Sequence, residues 1–181
     1  MKILFARLFR VIRLDQSMFD EIASDPSLQP HSVWAVAIFA MATSFGLFSS
    51  AGGTTVNIVL ITTMLAWYVW AFSVFYIGSR AFRAETSPVD RKAVMRVVAF
   101  ASAPGLIRLL GLIPKSFVIL LLISSIWILI AAVIGLKKVF VQTSTSRIAA
   151  VTVGTWLAAS LFQAILMVTL ISVFGVSKSG P

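Results

Sequence analysis

The feature that most constrains this chain is a run without any charged residue, from Ser32 to Ser79. A bilayer core about 30 Å thick needs roughly 20 apolar residues for one helical crossing, so this run is long enough for two. Of the 181 residues, 59% are hydrophobic and 12% are charged, whereas soluble domains carry about 25% charged residues. The apolar runs are helix-sized, unlike the short alternating strands of a membrane barrel. The sequence therefore predicts an all-α polytopic membrane protein.

Five hydrophobic segments are predicted to form a bundle of five transmembrane helices. They lie at about 32–51, 55–78, 92–113, 116–136 and 147–174. Between the first two segments, the uncharged stretch "SSAGGTT" predicts a tight turn. The chain thus divides into an N-terminal cytoplasmic segment (1–31), a transmembrane domain (32–174) and a short C-terminal tail (175–181).

The start of the chain, "MKILFARLFRVIR", is predicted to be a basic amphipathic helix on the membrane surface. At 100° per residue its bases share one arc, and most of its apolar side chains share the other. The bases are Lys2, Arg7, Arg10 and Arg13, and the apolar residues are Leu4, Phe5, Leu8, Phe9, Val11 and Ile12. The alternative is a frayed terminus whose charge is incidental.

A second short helix is predicted just before and within the stretch "FDEIASDPSLQPHSVW", whose first residue is Phe19. Ser17 and Asp20 resemble a capping box at its start. Pro26 disfavours helix at Asp25, so the helix should end there and the chain should run extended through Pro30. We interpret Phe19, Asp25 and Pro26 as an elbow that turns the chain into the bilayer.

The acids near this elbow are expected to pair with bases in the connecting loops. All six acids of the chain fall on the side predicted to be cytoplasmic. The acids in question are Asp20, Glu21 and Asp25, and the candidate partners are Arg91, Lys92 and Lys138.

The distribution of bases predicts the orientation. Eleven bases fall on the side of the N-terminus, and only Lys115 and Lys178 fall on the other side. The eleven are Lys2, Arg7, Arg10, Arg13, Arg80, Arg83, Arg91, Lys92, Lys137, Lys138 and Arg147. By the positive-inside rule the N-terminus is cytoplasmic and the C-terminus is outside, as expected for a bacterial inner-membrane protein.

Composition argues against several classes of function. The net charge of +9 comes from bases scattered over short connections, so topology explains it better than nucleic-acid binding does. With no cysteine and one histidine, neither a disulfide nor a zinc site is expected. Catalytic motifs are also missing, and His31 is interpreted as an interfacial residue. The chain is expected to be no enzyme and to need no cofactor.

Arg96 and Arg108 are the charged residues expected inside a crossing, on either side of Ala103, Pro104 and Gly105. A Pro-Gly break can expose backbone groups that bind an anion. The simpler expectation, which we favour, is that Arg96 reaches the inner interface and Arg108 the outer one.

Further polar and small residues in the crossings are predicted to pack helices together. Two amides, Asn57 and Gln163, should hydrogen-bond to a neighbouring helix or line a cavity. Small residues recur every four positions in the first and fifth segments, a pattern that allows close approach of helices. These residues are Ala42, Gly46 and Ser50, and Ala150, Gly154 and Ala158.

The order of these features, together with the stretches "FDEIASDPSL", "VVAFASAPGLIRLL", "IGLKKVF" and "TSTSRIAAV", resembles a prokaryotic member of the Yip-domain family of Ypt/Rab-interacting membrane proteins. The resemblance covers about residues 10–172. It implies five crossings and a cytoplasmic N-terminus. Eukaryotic relatives act in vesicle trafficking and membrane shaping, and some bind Rab-type GTPases. Here "DPSLQP" replaces a longer acidic and aromatic motif, so Rab binding is not expected to carry over.

These observations favour a non-enzymatic protein that organises membranes or acts as a scaffold. Its expected partners are lipids, including anionic ones that attract the N-terminal bases, and other membrane proteins or further copies of itself. The alternative is a small transporter or permease subunit. It would use a polar cavity at the Pro104 break, formed by Arg96, Arg108, Gln163 and Asn57.

Overall fold

The fold was analysed in a computed structural model that describes residues 2–82 and 89–174, without the side chains of residues 48–54. The described residues form helices and no strand. The predicted tail, 175–181, lies outside the described residues. Seven α-helices are described: α1 (Lys2–Ile12), α2 (Gln16–Ser24), α3 (Gln29–Gly46), α4 (Phe48–Ala81), α5 (Arg91–Ala101), α6 (Phe117–Val139) and α7 (Thr145–Phe174). Two 3₁₀ helices, Pro26–Leu28 and Ala103–Leu112, complete the order.

Four helical segments of the described chain are long and apolar enough to cross a membrane. They are Thr55–Ala81, Arg91–Leu112, Phe117–Val139 and Thr145–Phe174. These segments correspond to the second through fifth predicted crossings. The first predicted crossing falls on α3, which begins with Gln29, Pro30 and His31 and is therefore less apolar. A fifth crossing remains a prediction.

The turn between the first two predicted crossings lies earlier than expected. We predicted it in "SSAGGTT", but α3 ends at Gly46 and α4 begins at Phe48. Leu47 alone separates the two helices. Gly46, the last residue of α3, lies against the carbonyl of Arg108, where any Cβ atom would collide.

Helices α4 and α7 pack against each other in opposite directions. Trp70 of α4 donates its indole N–H to the carbonyl of Thr152 at 3.3 Å, and Gln163 donates to Thr63 at 3.0 Å. Residue numbers therefore fall along α7 as they rise along α4. On the other side of the bundle Gly135 of α6 lies against Val97 of α5. Eight of the eleven residues of α5 are buried, which makes it the central helix.

The segment Arg91–Leu112, predicted to be the third crossing, changes its helix type halfway, near the predicted Pro-Gly break. α5 ends at Ala101, and a 3₁₀ helix of ten residues follows from Ala103. Pro104 lies in its first turn, where its missing N–H costs no bond. The N–H of Gly105 donates to the carbonyl of Ser102 at 2.9 Å. Such runs rarely exceed 3–4 residues and often mark functional positions.

The two stripes of small residues behave differently. Ala42 and Gly46 of α3 are buried, and Gly46 also contacts Gly111, as expected for a packing stripe. The side chain of Ser50 lies outside the described part. In α7 the stripe formed by Ala150, Gly154 and Ala158 is exposed. The expectation that it packs within the bundle was wrong, because other faces of α7 meet α4 and α6.

We predict that Gly46→Ala destabilises the protein by about 1–3 kcal/mol, since the new methyl group would overlap backbone atoms of Arg108. Gly154→Ala is the matched control, because a Cβ atom there would have no neighbour within 4 Å. It should be neutral or stabilise α7 by up to about 1 kcal/mol. Thermal unfolding in detergent measures both. Equal effects of the two substitutions would contradict the packing described at Gly46.

Candidate functional site

The first candidate site is a surface formed by the N-terminal helix. One face of α1, with Leu4, Leu8 and Val11, is buried against the rest of the protein. Phe5 and Phe9 are half-exposed, and Lys2 and Arg13 are exposed near them. The predicted division into one basic and one apolar arc was therefore incomplete. The apolar residues serve two surfaces, and we call Lys2, Phe5, Phe9 and Arg13 the outer face of α1.

The other two bases of α1 are held by acids instead of facing outward. Arg7 lies 3.0 Å from a carboxylate oxygen of Glu21, and Arg10 lies 2.7 Å from one of Asp15. Arg7 also hydrogen-bonds to His31 at 3.3 Å. These pairs join α1 to α2 and to the start of α3.

The expected pairing of elbow acids with loop bases is confirmed for one pair. The ammonium group of Lys138 lies 3.0 Å from a carboxylate oxygen of Asp20. Arg91 and Lys92 are exposed and form no ion pair with the acids that the structure describes. Glu21 instead takes its partners from α1. The elbow is thus tied both to the first helix and to the end of α6.

Two aspartates cap the helices of the elbow. Asp15, not Ser17 as predicted, caps α2: its carboxylate accepts from the hydroxyl of Ser17 at 2.7 Å and from its backbone N–H at 3.0 Å. The Ser17 hydroxyl bond, followed by the bond from Arg10, lowers the pKa of Asp15 from 3.8 to about 2. Asp25 caps the 3₁₀ helix in the same way, and its bonds from Ser27 lower its pKa.

The elbow contains more helix than the sequence suggested. α2 ends at Ser24, as predicted, and Asp25 is extended with φ −96° and ψ 106°. The chain does not stay extended through Pro30. Pro26 and Pro30 each lie in the first turn of a helix, where the missing N–H has no partner to lose. Phe19 is fully buried and packs on Gly135.

Arg96 fixes this elbow to the bundle. Its guanidinium donates to the carbonyls of Ile22 and Ala23, each at 3.0 Å. These carbonyls belong to the last turn of α2, which lacks helical partners and favours a positive charge. Only 2% of Arg96 is exposed. Arg96 is thus covered by α2, which supplies its acceptors, and the expectation that it reaches the inner interface stays a prediction.

We predict that acid releases the caps of the elbow. Because both carboxyl pKa values are lowered by folding, the caps stabilise the fold above the unfolded pKa and are lost as pH falls through the folded pKa. Hydrogen exchange of residues 16–28, corrected for intrinsic rates, should be constant from about pH 7 to about pH 4 and accelerate toward about pH 2. Asp15→Asn keeps a capping oxygen and should flatten this dependence at α2. Faster exchange at higher pH would contradict the caps.

Arg96→Met should lower the free energy of local opening of α2 by about 3 kcal/mol, since two hydrogen bonds from a charged donor are lost. The measurement is hydrogen exchange and limited proteolysis across residues 14–28. Arg91→Met is the matched control, because Arg91 lies on the same helix and is exposed. Unchanged protection of α2 in Arg96→Met would show that other contacts hold the elbow.

The second candidate site surrounds Arg108, which is only 6% exposed. Its guanidinium donates to three hydroxyl groups, which lie on two different helices. The acceptors are Ser124 at 2.7 Å, Ser125 at 3.1 Å and Thr43 at 3.3 Å. Each hydroxyl gives its own proton to a backbone carbonyl and is therefore an acceptor for Arg108. The expectation that Arg108 reaches the outer interface was wrong because these acceptors hold it inside.

A cavity of about 290 Å³ lies beside Arg108. It lies among α3, α4, α6 and α7, next to the helix break. The residues that line it are Phe39, Thr63, Ala66, Trp67, Trp70, Ser102, Arg108, Leu121, Leu122, Ser125, Ile128, Trp156, Ala159, Ser160 and Gln163. Of the four residues predicted around a polar cavity, Arg108 and Gln163 meet here. Arg96 binds the elbow instead, and Asn57 is exposed.

Sequence reasoning missed the hydroxyl groups that hold Arg108. Ser124 and Ser125 are adjacent polar residues within the most apolar of the four crossing segments. That contrast was a usable signal, because paired hydroxyls in such a segment favour a polar partner on a neighbouring helix. The contribution of Thr43 had no comparable signal.

Neither site resembles a metal centre. Within the described ranges, no three His, Asp or Glu side chains are grouped so as to hold a metal ion.

Apolar helices of crossing length and an all-helical fold define the class of this chain as a helical integral membrane protein. The sequence model of the Yip1 domain matches residues 10–167, and the chain belongs to this family. The resemblance to the Yip-domain family noted in the sequence is thereby confirmed. No curated protein and no solved structure matches the chain.

Proposed function

We propose that this Yip1-family protein is a non-enzymatic membrane organiser, which acts through lipid and protein contacts of its N-terminal helices. In this proposal α3 is the first of five crossings. The N-terminus lies on the cytoplasmic side of a bacterial inner membrane, and the C-terminus lies outside.

The outer face of α1 is the observation that carries the proposal. Two half-exposed phenylalanines beside two exposed bases suit the boundary between acyl chains and anionic headgroups. Arg13 lies 4.4 Å from the ring centre of Phe9, which keeps the charged and apolar groups together. Arg7 and Arg10, in contrast, face acids and orient the helix.

Contacts within the bundle support the proposed orientation. Lys138 meets Asp20 of α2, and Arg147 donates to the carbonyl of Ala81 at 3.0 Å. The ends of α4 and α6, the start of α7 and the N-terminal helices thus meet at one end of the bundle. A base-rich end is expected to face the cytoplasm.

The transport alternative receives less support. It needs four polar residues around one cavity, and Arg96 and Asn57 lie away from the cavity at Arg108. Rab-type GTPases are partners of the wider family, but their binding forms no part of this proposal.

We predict that the double variant Lys2→Gln/Arg13→Gln reduces the anionic lipid that copurifies with the protein. Each base near an anionic surface contributes about 1 kcal/mol, so two correspond to a roughly thirtyfold loss of preference. The measurement is lipid mass spectrometry of protein purified in mild detergent, with anionic lipid compared with zwitterionic lipid. Crosslinked protein partners are identified in the same preparations.

The matched control is Arg91→Gln/Lys92→Gln, which removes the same charge from exposed bases elsewhere on the chain. It should leave the lipid ratio nearly unchanged. If both double variants lower the ratio equally, net charge governs the effect and the outer face of α1 has no special role. If neither does, the proposal fails.

A further inference from the structure

We propose that the cavity beside Arg108 binds the oxyanion headgroup of a membrane amphiphile. The ligand class is a carboxylate or phosphate attached to an acyl chain. This inference does not rest on the outer face of α1, because the cavity lies at a different place in the bundle.

The charge of Arg108 is the first argument. A buried cation is costly unless a charged partner or strong hydrogen bonds compensate it. Arg108 meets neutral hydroxyl groups and the ring of Phe39, whose centre lies 5.0 Å from the guanidinium carbon. No carboxylate lies within ion-pair distance of it in the part of the chain that the structure describes. Ionisable residues inside crossings usually pair and mark binding sites. An anionic ligand would supply the missing countercharge.

Unused hydrogen-bond donors are the second argument. A guanidinium has five N–H hydrogens, and three of those on Arg108 have hydroxyl acceptors, which leaves two without a described partner. The buried indole N–H of Trp67, which also lines the cavity, has no acceptor among the described residues. An oxyanion is the ligand that accepts from such donors, and guanidinium groups bind carboxylate and phosphate especially well.

The shape of the cavity indicates that the ligand has an acyl chain. At about 290 Å³ the space equals the volume of roughly ten water molecules, at about 30 Å³ each. Most of its lining is aromatic or aliphatic. Leu122 belongs to the lining and is 60% exposed on α6, so the cavity lies near the lipid-facing surface. A headgroup and the first part of a chain fit inside, and the rest of the chain would extend into lipid.

The test uses the tryptophans of the cavity as reporters in the full-length protein. Trp67, Trp70 and Trp156 line the cavity, whereas Trp34 and Trp127 do not. In a Trp34→Phe/Trp127→Phe background, dibromostearate is added to the detergent-solubilised protein. We expect saturable quenching of the remaining fluorescence. Arg108→Gln should weaken this binding at least tenfold, because it removes the charge.

Three controls separate the site from partition into the micelle. Lys115→Gln removes a cation that is exposed and outside the cavity, and it should bind as the parent does. The uncharged methyl ester of dibromostearate should bind at least tenfold more weakly. Ser160→Leu keeps Arg108 but fills part of the cavity, and it should also weaken binding. If Arg108→Gln does not fold, Ser160→Leu and the methyl ester decide the result.

Competition distinguishes the sources of the anion. Displacement of dibromostearate by oleate alone would support a fatty carboxylate, and displacement by dioleoyl phosphatidic acid would support a lipid phosphate. Displacement by inorganic phosphate at equal concentration would overturn the requirement for a chain. Quenching that does not saturate, or that is equal in the parent and in Arg108→Gln, would overturn the proposal and indicate a cavity filled by water.

Discussion

A guanidinium buried inside a membrane protein must find its hydrogen-bond partners within the protein. Two such groups, those of Arg96 and Arg108, organise this fold. Hydrocarbon offers no hydrogen-bond acceptors, and Arg96 and Arg108 take theirs from helices packed against the segment Arg91–Leu112. Arg96 brings the last carbonyls of α2 onto the bundle. Arg108 brings together hydroxyls from α3 and α6. The attachment of the N-terminal elbow and the hydroxyl cluster beside the cavity thus meet the same requirement at two positions of one segment.

The change of helix type between these two residues fits their different tasks. The α-helical half carries Arg96 at the level of α2, and the narrower 3₁₀ half carries Arg108 past Gly46. Three residues per turn and a longer rise make the 3₁₀ half thinner and more extended. The thin 3₁₀ half allows its backbone at Arg108 to approach Gly46 closely. The cavity lies next to it, among the side chains of the neighbouring helices.

Most of the helices followed from local patterns. Apolar length predicted the last four crossings within a few residues, and Pro26 correctly marked the end of α2. The prediction of an extended chain through Pro30 was wrong, because proline fits the first turn of a helix as well as it fits an extended chain. The packing of α1 was missed because apolar periodicity does not tell whether protein or lipid covers a residue such as Leu4 or Phe9.

The sequence by itself determined the membrane class, the helical fold and the family, because these depend on composition, run length and the order of short motifs. Only the tertiary structure decided the partners of the charged residues. Spacing along the chain could not reveal that Arg96 meets Ile22 and Ala23, or that Arg108 meets Thr43. Those contacts join residues far apart in sequence, and they form because burial leaves each cation no nearer acceptor.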